Sequence, residues 1–286
     1  MQKTDIVTIP YSSALYPKEW KDLSDAPQTL FAIGNTELLK TRKLTVVGSR
    51  QTPAAAIKLA TEITKDLSKE FTVVTGTADG GDTAAITGAL QGNGNVICVL
   101  AGGFGALPQS NLPLLEEVAK KGLLLSPHPY ETEVRNYSYE YRNKLLALLG
   151  EGVFVVGASE KSGALITARY AYRMKKPLFA FPYSPGVMAG RGCNAILKSG
   201  GRLTETAVDI YNFFGINLRE TVSAPKLSLS ADEELLFTVL KELGETHISM
   251  LSQKSGLPPF KARTLLSSLE VKGLVVGVGG NRYSPV

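Results

Sequence analysis

Six short apolar runs, each followed by a stretch of helical patterning, constrain the fold of this 286-residue chain more than any other feature. The runs lack polar alternation, so we expect strands that are buried on both faces of a parallel sheet. The predicted strands cover residues 44–47, 71–75, 96–100, 123–125, 153–156 and 178–181. The predicted helices lie near 53–69, 81–91, 111–121, 138–149, 163–174 and 193–199. This order predicts a doubly wound α/β domain that binds ligands at the carboxyl ends of its strands.

The ends of the chain have different patterns. Residues 1–40 carry turn signals around a short strand near 30–33, and we expect them to pack on the core as a lead-in. The α/β domain is predicted over 41–214, and a linker is predicted over 215–229. Residues 230–286 show three helical patterns and a hairpin pattern, which predict a small C-terminal winged-helix domain.

Two strand-to-helix turns carry small residues whose N–H groups are expected to be free. One is Gly48-Ser49-Arg50, and the other begins at Ser162-Gly163. The N-terminus of a helix binds anions because its first N–H groups are unpaired and its dipole is positive there. Arg50 adds a planar donor suited to phosphate, although a surface arginine at a strand end is the alternative. The turns therefore predict a phosphate or polyanion ligand.

Positive charge is concentrated in one part of the chain. The net charge is +5, but the window 135–202 holds 11 basic and 3 acidic residues and carries +8. Such asymmetry favours an acidic partner, nucleic acid first, over a merely solvated basic surface. Tyr137, Tyr139 and Tyr141 alternate within this window, a pattern typical of single-strand binding unless the rings pack in the core. Asp82, in the turn after the second strand, is expected to cap the next helix rather than touch a phosphate.

Several classes of protein are disfavoured by what the sequence lacks. Gly48-Ser49-Arg50 is not the glycine pattern of a dinucleotide cofactor, and no Walker A sequence occurs. Two histidines and two cysteines show no metal-ligand spacing and no catalytic triad. Cys98 is expected in the core, and Cys193 is expected to be more exposed. No apolar run approaches the roughly 20 residues of a membrane span, so we expect a cytoplasmic protein without a cofactor, metal or catalytic residue.

A series of motifs then identifies a family. They are Tyr16-Pro17, Gly48-Ser49-Arg50, Thr75-Gly76, Gly81-Asp82-Thr83-Ala84, Pro108 with Asn111, Arg142-Asn143, Ser162-Gly163 with Thr167-Ala168, and Gly192 with Asn194. In order and spacing these motifs closely resemble the DprA/Smf family, the bacterial DNA-processing proteins of natural transformation. The resemblance runs from about residue 16 to the C-terminus.

This resemblance implies an extended Rossmann-like domain that binds single-stranded DNA in a basic pocket. It also implies a homodimer that protects the DNA and loads RecA onto it, with no cofactor, no turnover and no membrane. The positions that match the family, together with the basic window, define a candidate DNA-binding set: Gly48, Ser49, Arg50, Gly76, Arg142, Asn143, Lys144, Ser162, Gly163, Thr167, Arg169 and Lys198. Arg50 and Arg142 are expected to contact phosphates, and the small residues are expected to supply backbone and hydroxyl donors.

The chain departs from the family pattern at several positions. Ile86 stands where a histidine is usual, and Gly81 replaces an isoleucine. Lys144 replaces the second arginine of Arg-Asn-Arg, Gln109 replaces a basic residue, and Gly157 replaces a glutamate. These departures fit a divergent member or a paralogue.

Two further functions stay open at the level of sequence. The glycine-rich turn at 101–105 is similar to a motif of lysine-decarboxylase-like phosphoribohydrolases, which predicts a small nucleotide ligand, although the motif's Pro, Thr and catalytic Glu are missing. In the winged-helix segment, Lys261, Arg263 and Arg282 are placed to touch duplex DNA. A protein contact through this segment is an equal alternative, because its basic and acidic residues nearly balance.

Overall fold

A computed structural model of the chain describes residues 5–216, 229–272 and 274–285. The chain divides into two compact units, one described over residues 5–216 and the other over 229–272 and 274–285. Most of the predicted linker, residues 217–228, lies outside the described residues. None of the helices in the described part combines the length and apolarity needed to cross a bilayer.

A nine-stranded sheet forms the first unit. Its strands in chain order are β1 Val7–Pro10, β2 Thr29–Gly34, β3 Lys43–Gly48, β4 Thr72–Thr75, β5 Val96–Val99, β6 Leu123–Ser126, β7 Val153–Gly157, β8 Leu178–Ala180 and β9 Arg202–Leu203. In space they follow the order β1-β2-β6-β5-β4-β3-β7-β8-β9. All neighbours from β6 to β9 are parallel, and only β1–β2 and β2–β6 are antiparallel. The predicted mostly parallel, doubly wound sheet is therefore confirmed.

Eight α-helices of the described residues accompany this sheet. They are α1 Lys18–Lys21, α2 Ala54–Leu67, α3 Gly81–Gln91, α4 Leu112–Lys121, α5 Asn136–Leu149, α6 Gly163–Arg173, α7 Arg191–Lys198 and α8 Ala207–Phe213. Helices α2, α3 and α4 contact one another in series, while α5 packs on α6 and α1. Because parallel crossovers are right-handed, the reversal of strand order at β3 puts these two groups on opposite faces of the sheet.

Burial of the apolar runs explains why they became central strands. Every residue of β3, β4, β5, β6 and β7 is buried, which requires a layer of helices on each face. Trp20 is also fully buried, and its indole Nε1–H donates to Leu145 O at 3.0 Å. The lead-in is thus tied to the core. Cys193, expected to be more exposed, is fully buried on α7, where it faces the sheet.

The described part of the second unit contains three helices and a small sheet. The helices are α9 Ala231–Leu243, α10 Ile248–Ser255 and α11 Pro259–Val271, and the strands are β10 Thr246–His247, β11 Val275–Gly279 and β12 Arg282–Pro285. The strands pair in the order β10-β12-β11 around a core built on leucines of all three helices. Gly280 and Asn281 have φ of +60° and +56°, which the tight turn between β11 and β12 requires. This is a winged-helix arrangement.

Candidate nucleic-acid interface

The reversal of strand order between β3 and β7 opens a crevice at their carboxyl ends, where ligands of doubly wound sheets bind. The β3–β7 register shifts at this point, where Gly48 pairs with Gly157. A cleft of about 330 Å³ occupies the crevice. We call it the switch-point cleft, and its lining residues are Val47, Gly48, Ser49, Arg50, Gln51, Ala78, Asp82, Tyr139, Arg142, Asn143, Ser159, Ser162, Gly163, Ala164 and Thr167.

Arg50 is the exposed cation of the cleft. Its side chain makes no hydrogen bond or ion pair with any residue that the structure describes. The turn that carries it is well fixed, because Ser49 N–H donates to Gly157 O at 2.8 Å and Thr52 Oγ1 donates to Ser49 O at 2.8 Å. A rigid turn thus holds an unpaired guanidinium at the edge of the sheet. The planar guanidinium can donate two N–H hydrogen bonds to one phosphate group.

The first turn of α6 forms the opposite wall. The Ser162 side chain caps this helix by accepting from Ala164 N–H at 3.2 Å. The N–H of Gly163, the first residue of the helix, has no hydrogen-bond partner in the described chain. A Cβ on Gly163 would meet only Asn143 Nδ2, at 3.6 Å. Packing therefore does not demand glycine here, whereas close approach of an anion to the helix end does favour it.

Arg142 forms the floor of the cleft and is only 5% exposed. Its guanidinium donates from Nη1 to Val99 O at 3.2 Å and from Nε to Asn143 Oδ1 at 3.0 Å. The Asp82 carboxylate faces it across Gly76, where a Cβ would collide with both side chains. Gly76 is therefore a spacer beneath the cleft rather than part of its lining.

Asp82 does not cap α3 as expected. Gly80 is the N-cap, and Asp82 lies in the first turn, where it accepts from Gly48 N–H and Ala78 N–H at 3.3 Å each. Burial raises the pKa of the Asp82 carboxyl, and the positive charge of Arg142 acts in the opposite direction. The N–H of Gly48 is consequently engaged by a carboxylate, and that of Ser49 by a carbonyl. The turn offers an anion the Arg50 side chain and the Ser49 hydroxyl instead of these two N–H groups.

Of the predicted set, the structure brings eight residues into the cleft: Gly48, Ser49, Arg50, Arg142, Asn143, Ser162, Gly163 and Thr167. Lys144 lies elsewhere, with its ammonium paired to the Asp25 carboxylate at 2.5 Å. Arg169 is exposed on α6 outside the cleft, and Lys198 on α7 lines a separate hollow beside Arg191.

The alternating tyrosines predicted for single-strand binding contribute one residue to the lining. Tyr139 stands over Arg142, with 6.0 Å between guanidinium carbon and ring centroid, and is 39% exposed. It is the one tyrosine of the alternating set that lines the cleft, since Tyr137 points to solvent and Tyr141 packs against the core. Ser159 also lines the cleft and was not predicted from the sequence. Because α5 begins at Asn136, all three tyrosines lie on a helix, where residues two positions apart face different sides. Their different surroundings could be predicted only with this helix start known.

Two departures from the family pattern have steric reasons. A Cβ on Gly157 would collide with Thr52, and a Cβ on Gly81 would collide with Gly48 Cα. The start of α3 therefore lies too close to the end of β3 for a side chain at position 81, and Thr52 fills the space that a side chain at position 157 would need. The glycine-rich turn at 101–105 is likewise packed, because a Cβ on Gly103 would strike the carbonyls of Pro129 and Tyr130.

The cations predicted on the winged helix are all engaged within their own unit. Lys261 pairs with Asp232 at 2.6 Å and Arg282 pairs with Glu245 at 2.8 Å. Arg263 donates to Asn281 Oδ1 at 3.1 Å. In the described residues no group of histidine, cysteine and carboxylate side chains suits a metal ion.

Relatives of the chain were found by sequence. Residues 7–215 match the family model described as DNA recombination-mediator protein A. The chain is 37% identical to DNA processing protein DprA of Bacillus subtilis (strain 168) over 209 residues, which cover 72% of this chain and 70% of that protein. It is 30% identical to Protein Smf of Escherichia coli (strain K12) over 284 residues, which cover 95% and 75% of the two chains.

Solved structures give the same relationship. DNA processing protein A from Streptococcus pneumoniae superposes with a TM-score of 0.68 at 31% identity, over 72% of this chain and 74% of that one. The protein from Helicobacter pylori, whose structure concerns its single-stranded DNA binding mode, superposes with a TM-score of 0.66 at 27% identity, over 73% and 95%. The resemblance predicted from the motifs is confirmed: this chain belongs to the DNA recombination-mediator protein A family, also called DprA or Smf.

Proposed function

We propose that this protein, a member of a recombination-mediator family, binds single-stranded DNA in the switch-point cleft. The observation that carries the proposal is the pairing of an exposed, unpartnered Arg50 with the open first turn of α6. Both are sequence-independent phosphate binders, which suits a protein that must accept any strand. Tyr139 adds a ring on which a base can stack.

The cleft assigns different roles to the predicted residues. Arg50, Ser49, Ser162, Gly163 and Thr167 face the ligand as donors. The buried Arg142, together with Asn143, holds the floor and contributes long-range positive potential more than a direct contact, because its side chain is only 5% exposed and its Nε–H and one Nη1–H are already bonded within the protein. Gly76 and Lys144 support the fold around the cleft.

The proposed activity is binding rather than turnover. Asp82 is the only carboxylate that lines the cleft in the described part of the chain, and it is buried and engaged with two backbone N–H groups. It has no second titratable partner of the kind that acid–base catalysis uses. From the family we further propose that the protein forms a homodimer and loads RecA onto bound DNA in the cytoplasm. Light scattering and a RecA-loading assay on coated single strands test these two points separately.

Titration of labelled oligonucleotides across a range of salt tests the DNA-binding proposal. Arg50→Ala is expected to weaken single-strand binding for every sequence and to lower the salt slope by about 0.7, the value for one phosphate contact on a single strand. Lys121→Ala, which removes an exposed charge from α4, is the matched control. Equal affinities of the wild type and Arg50→Ala at all salt concentrations would show that the cleft is not the binding site.

A further inference from the structure

A second cluster of cations lies at the sheet edge opposite the switch-point cleft. A hollow of about 620 Å³ opens beside the amino ends of β8 and β9. Four cations line it, namely Arg173, Lys175, Lys176 and Arg202, and its lining contains no carboxylate among the residues that the structure describes. We call this hollow the basal pocket.

One of these cations has a structural role. Lys176 Nζ donates to the main-chain carbonyls of Leu148 and Gly150 at the end of α5. Burial lowers the pKa of this lysine to about 8. A cation at a helix C-terminus neutralises the negative end of the dipole, so Lys176 is accounted for by the fold.

The other three cations have no such partner. Within the described residues, no hydrogen bond or ion pair engages the side chain of Arg173, Lys175 or Arg202. The Arg202 guanidinium stacks 4.3 Å from the centroid of Phe213, and that of Arg173 lies 5.9 Å from the ring of Tyr170. Stacking orients a guanidinium plane while its N–H edge stays open, which prepares both arginines for an anion.

Lys175 occupies a position that favours glycine. Its φ is +54°, and its N–H donates to Tyr172 O at 3.0 Å to close the end of α6. A side chain in this left-handed conformation costs about 1 kcal/mol relative to glycine. Strain of this kind persists at sites where the side chain serves a function, and here it places an ammonium at the mouth of the basal pocket.

Helix α6 connects the two cationic sites. Its first turn lines the switch-point cleft, and its last residue, Arg173, lines the basal pocket. A helix of 11 residues is roughly 16 Å long, a distance that about five stacked nucleotides span. Arg169 is exposed one turn before Arg173 and lies on the same helix face. Tyr172, which is 65% exposed, offers an aromatic surface beside this line of cations.

We propose that the basal pocket is a second phosphate-binding site for single-stranded DNA, reached by a strand that leaves the switch-point cleft and follows α6. The inference rests on the proposed function of the cleft and extends its footprint. Guanidinium planes and exposed rings together favour a nucleic-acid strand, because an acidic protein segment would use the charges but not the rings.

Two charge-matched triple variants test the proposal on the full-length protein. Each lowers the net charge by three. The basal variant is Arg173→Ala with Lys175→Gly and Arg202→Gln. The control variant is Lys69→Ala, just after α2, with Lys120→Ala and Lys121→Ala at the end of α4. Binding is measured by fluorescence anisotropy with oligothymidylates of about 5 and about 15 nucleotides, within the range of single-strand site sizes.

The basal variant is expected to bind the longer oligonucleotide about tenfold more weakly at low salt, with a salt slope reduced by about 2 for three lost contacts. Its affinity for the shorter oligonucleotide should stay within about twofold of the wild type, because the cleft is intact. The control variant should resemble the wild type at both lengths. Equal losses in both triple variants, or no loss at the longer length, would overturn the proposal. A third result would also overturn it: the wild type binds poly-glutamate, and the basal variant loses this binding but keeps its affinity for DNA. The ligand of the basal pocket would then be an acidic protein segment.

Lys175→Gly alone keeps the test decisive if the triple variant does not fold. This substitution relieves the left-handed strain, so the melting temperature should hold or rise while affinity for the longer oligonucleotide falls. Unchanged affinity in a stable Lys175→Gly protein would count against the basal site. A different result would show that the switch-point cleft does not bind DNA: Arg50→Ala would then leave the affinity for both oligonucleotides unchanged.

Discussion

Removal of the buried guanidinium of Arg142 is predicted to damage the fold more than the DNA contact. Arg142→Ala removes the hydrogen bonds to Val99 O and Asn143 Oδ1 and leaves the Asp82 carboxylate buried without its opposing charge. Loss of one partner from a buried pair of charges costs roughly 3–5 kcal/mol. The free energy of unfolding of a typical domain is about 5–15 kcal/mol, so this single substitution would remove a large part of the stability.

The dependence of this loss on pH has a definite sign. Burial already holds the pKa of Asp82 above its ordinary value, and removal of Arg142 raises it further. The folded variant then binds a proton more tightly than the unfolded chain. Its stability is therefore greatest below the ordinary Asp pKa of about 3.9 and falls as pH rises toward the folded-state pKa.

Urea unfolding of Arg142→Ala at pH of about 4.5 and about 7.5 measures both effects. Arg50→Ala is the reference, since an exposed side chain should cost less than about 0.5 kcal/mol. Addition of Asp82→Asn to Arg142→Ala should recover part of the loss and remove its pH dependence. A free energy of unfolding of Arg142→Ala within about 1 kcal/mol of the wild-type value, together with a loss of DNA affinity, would show that Arg142 is a phosphate contact rather than a buried counter-charge.

Three further predictions follow from the structure. Gly163→Ala should fold normally, since its Cβ meets nothing closer than 3.6 Å, yet bind oligonucleotides several-fold more weakly; unaltered affinity in an anisotropy titration would contradict a phosphate at this helix end. Gly81→Ala should lower stability by about 1–3 kcal/mol in a thermal melt, because its Cβ collides with Gly48 Cα, and a normal melt would show that the two elements separate freely. The pKa of Glu233 is lowered to about 2, first by the hydrogen bond from Lys272, so its contribution to stability is present above the ordinary Glu pKa and is lost as pH falls toward 2. Hydrogen exchange of residues 229–272 should show this loss, and Lys272→Met should weaken it; identical profiles would exclude the pair as its source.

The central architecture was predictable because its signal is local. Each of the six apolar runs in the sequence predicted a strand, and the structure has a strand at the position of every run. The edge elements could not be read in this way. Strand β9 is two exposed residues long, and helix α1 is four residues long, so neither has enough periodicity to register. Their places are set by tertiary contacts, such as the bond from Trp20 to Leu145, 125 residues away.

The candidate site was predictable in position but not in its internal pairing. The rule for doubly wound sheets located both turns that form the switch-point cleft. It could not show that the Asp82 carboxylate is buried opposite Arg142, or that Asp25 pairs with Lys144 from 119 residues away. Charge counted along the chain treats Arg142 and Arg50 alike. Burial separates them into a fixed floor residue, Arg142, and an exposed cation without a partner among the described residues, Arg50.

Photochemical cross-linking of a short oligothymidylate to the full-length protein, with mass-spectrometric mapping of the attachment sites, can locate the single-stranded DNA on the protein. If the strand binds in the switch-point cleft, we expect cross-links at Tyr139 and in the first turn of α6, and we expect their loss in Arg50→Ala. Cross-links confined to helices α9–α11 and their hairpin, unaffected by Arg50→Ala, would contradict this expectation and move DNA binding to the winged-helix unit.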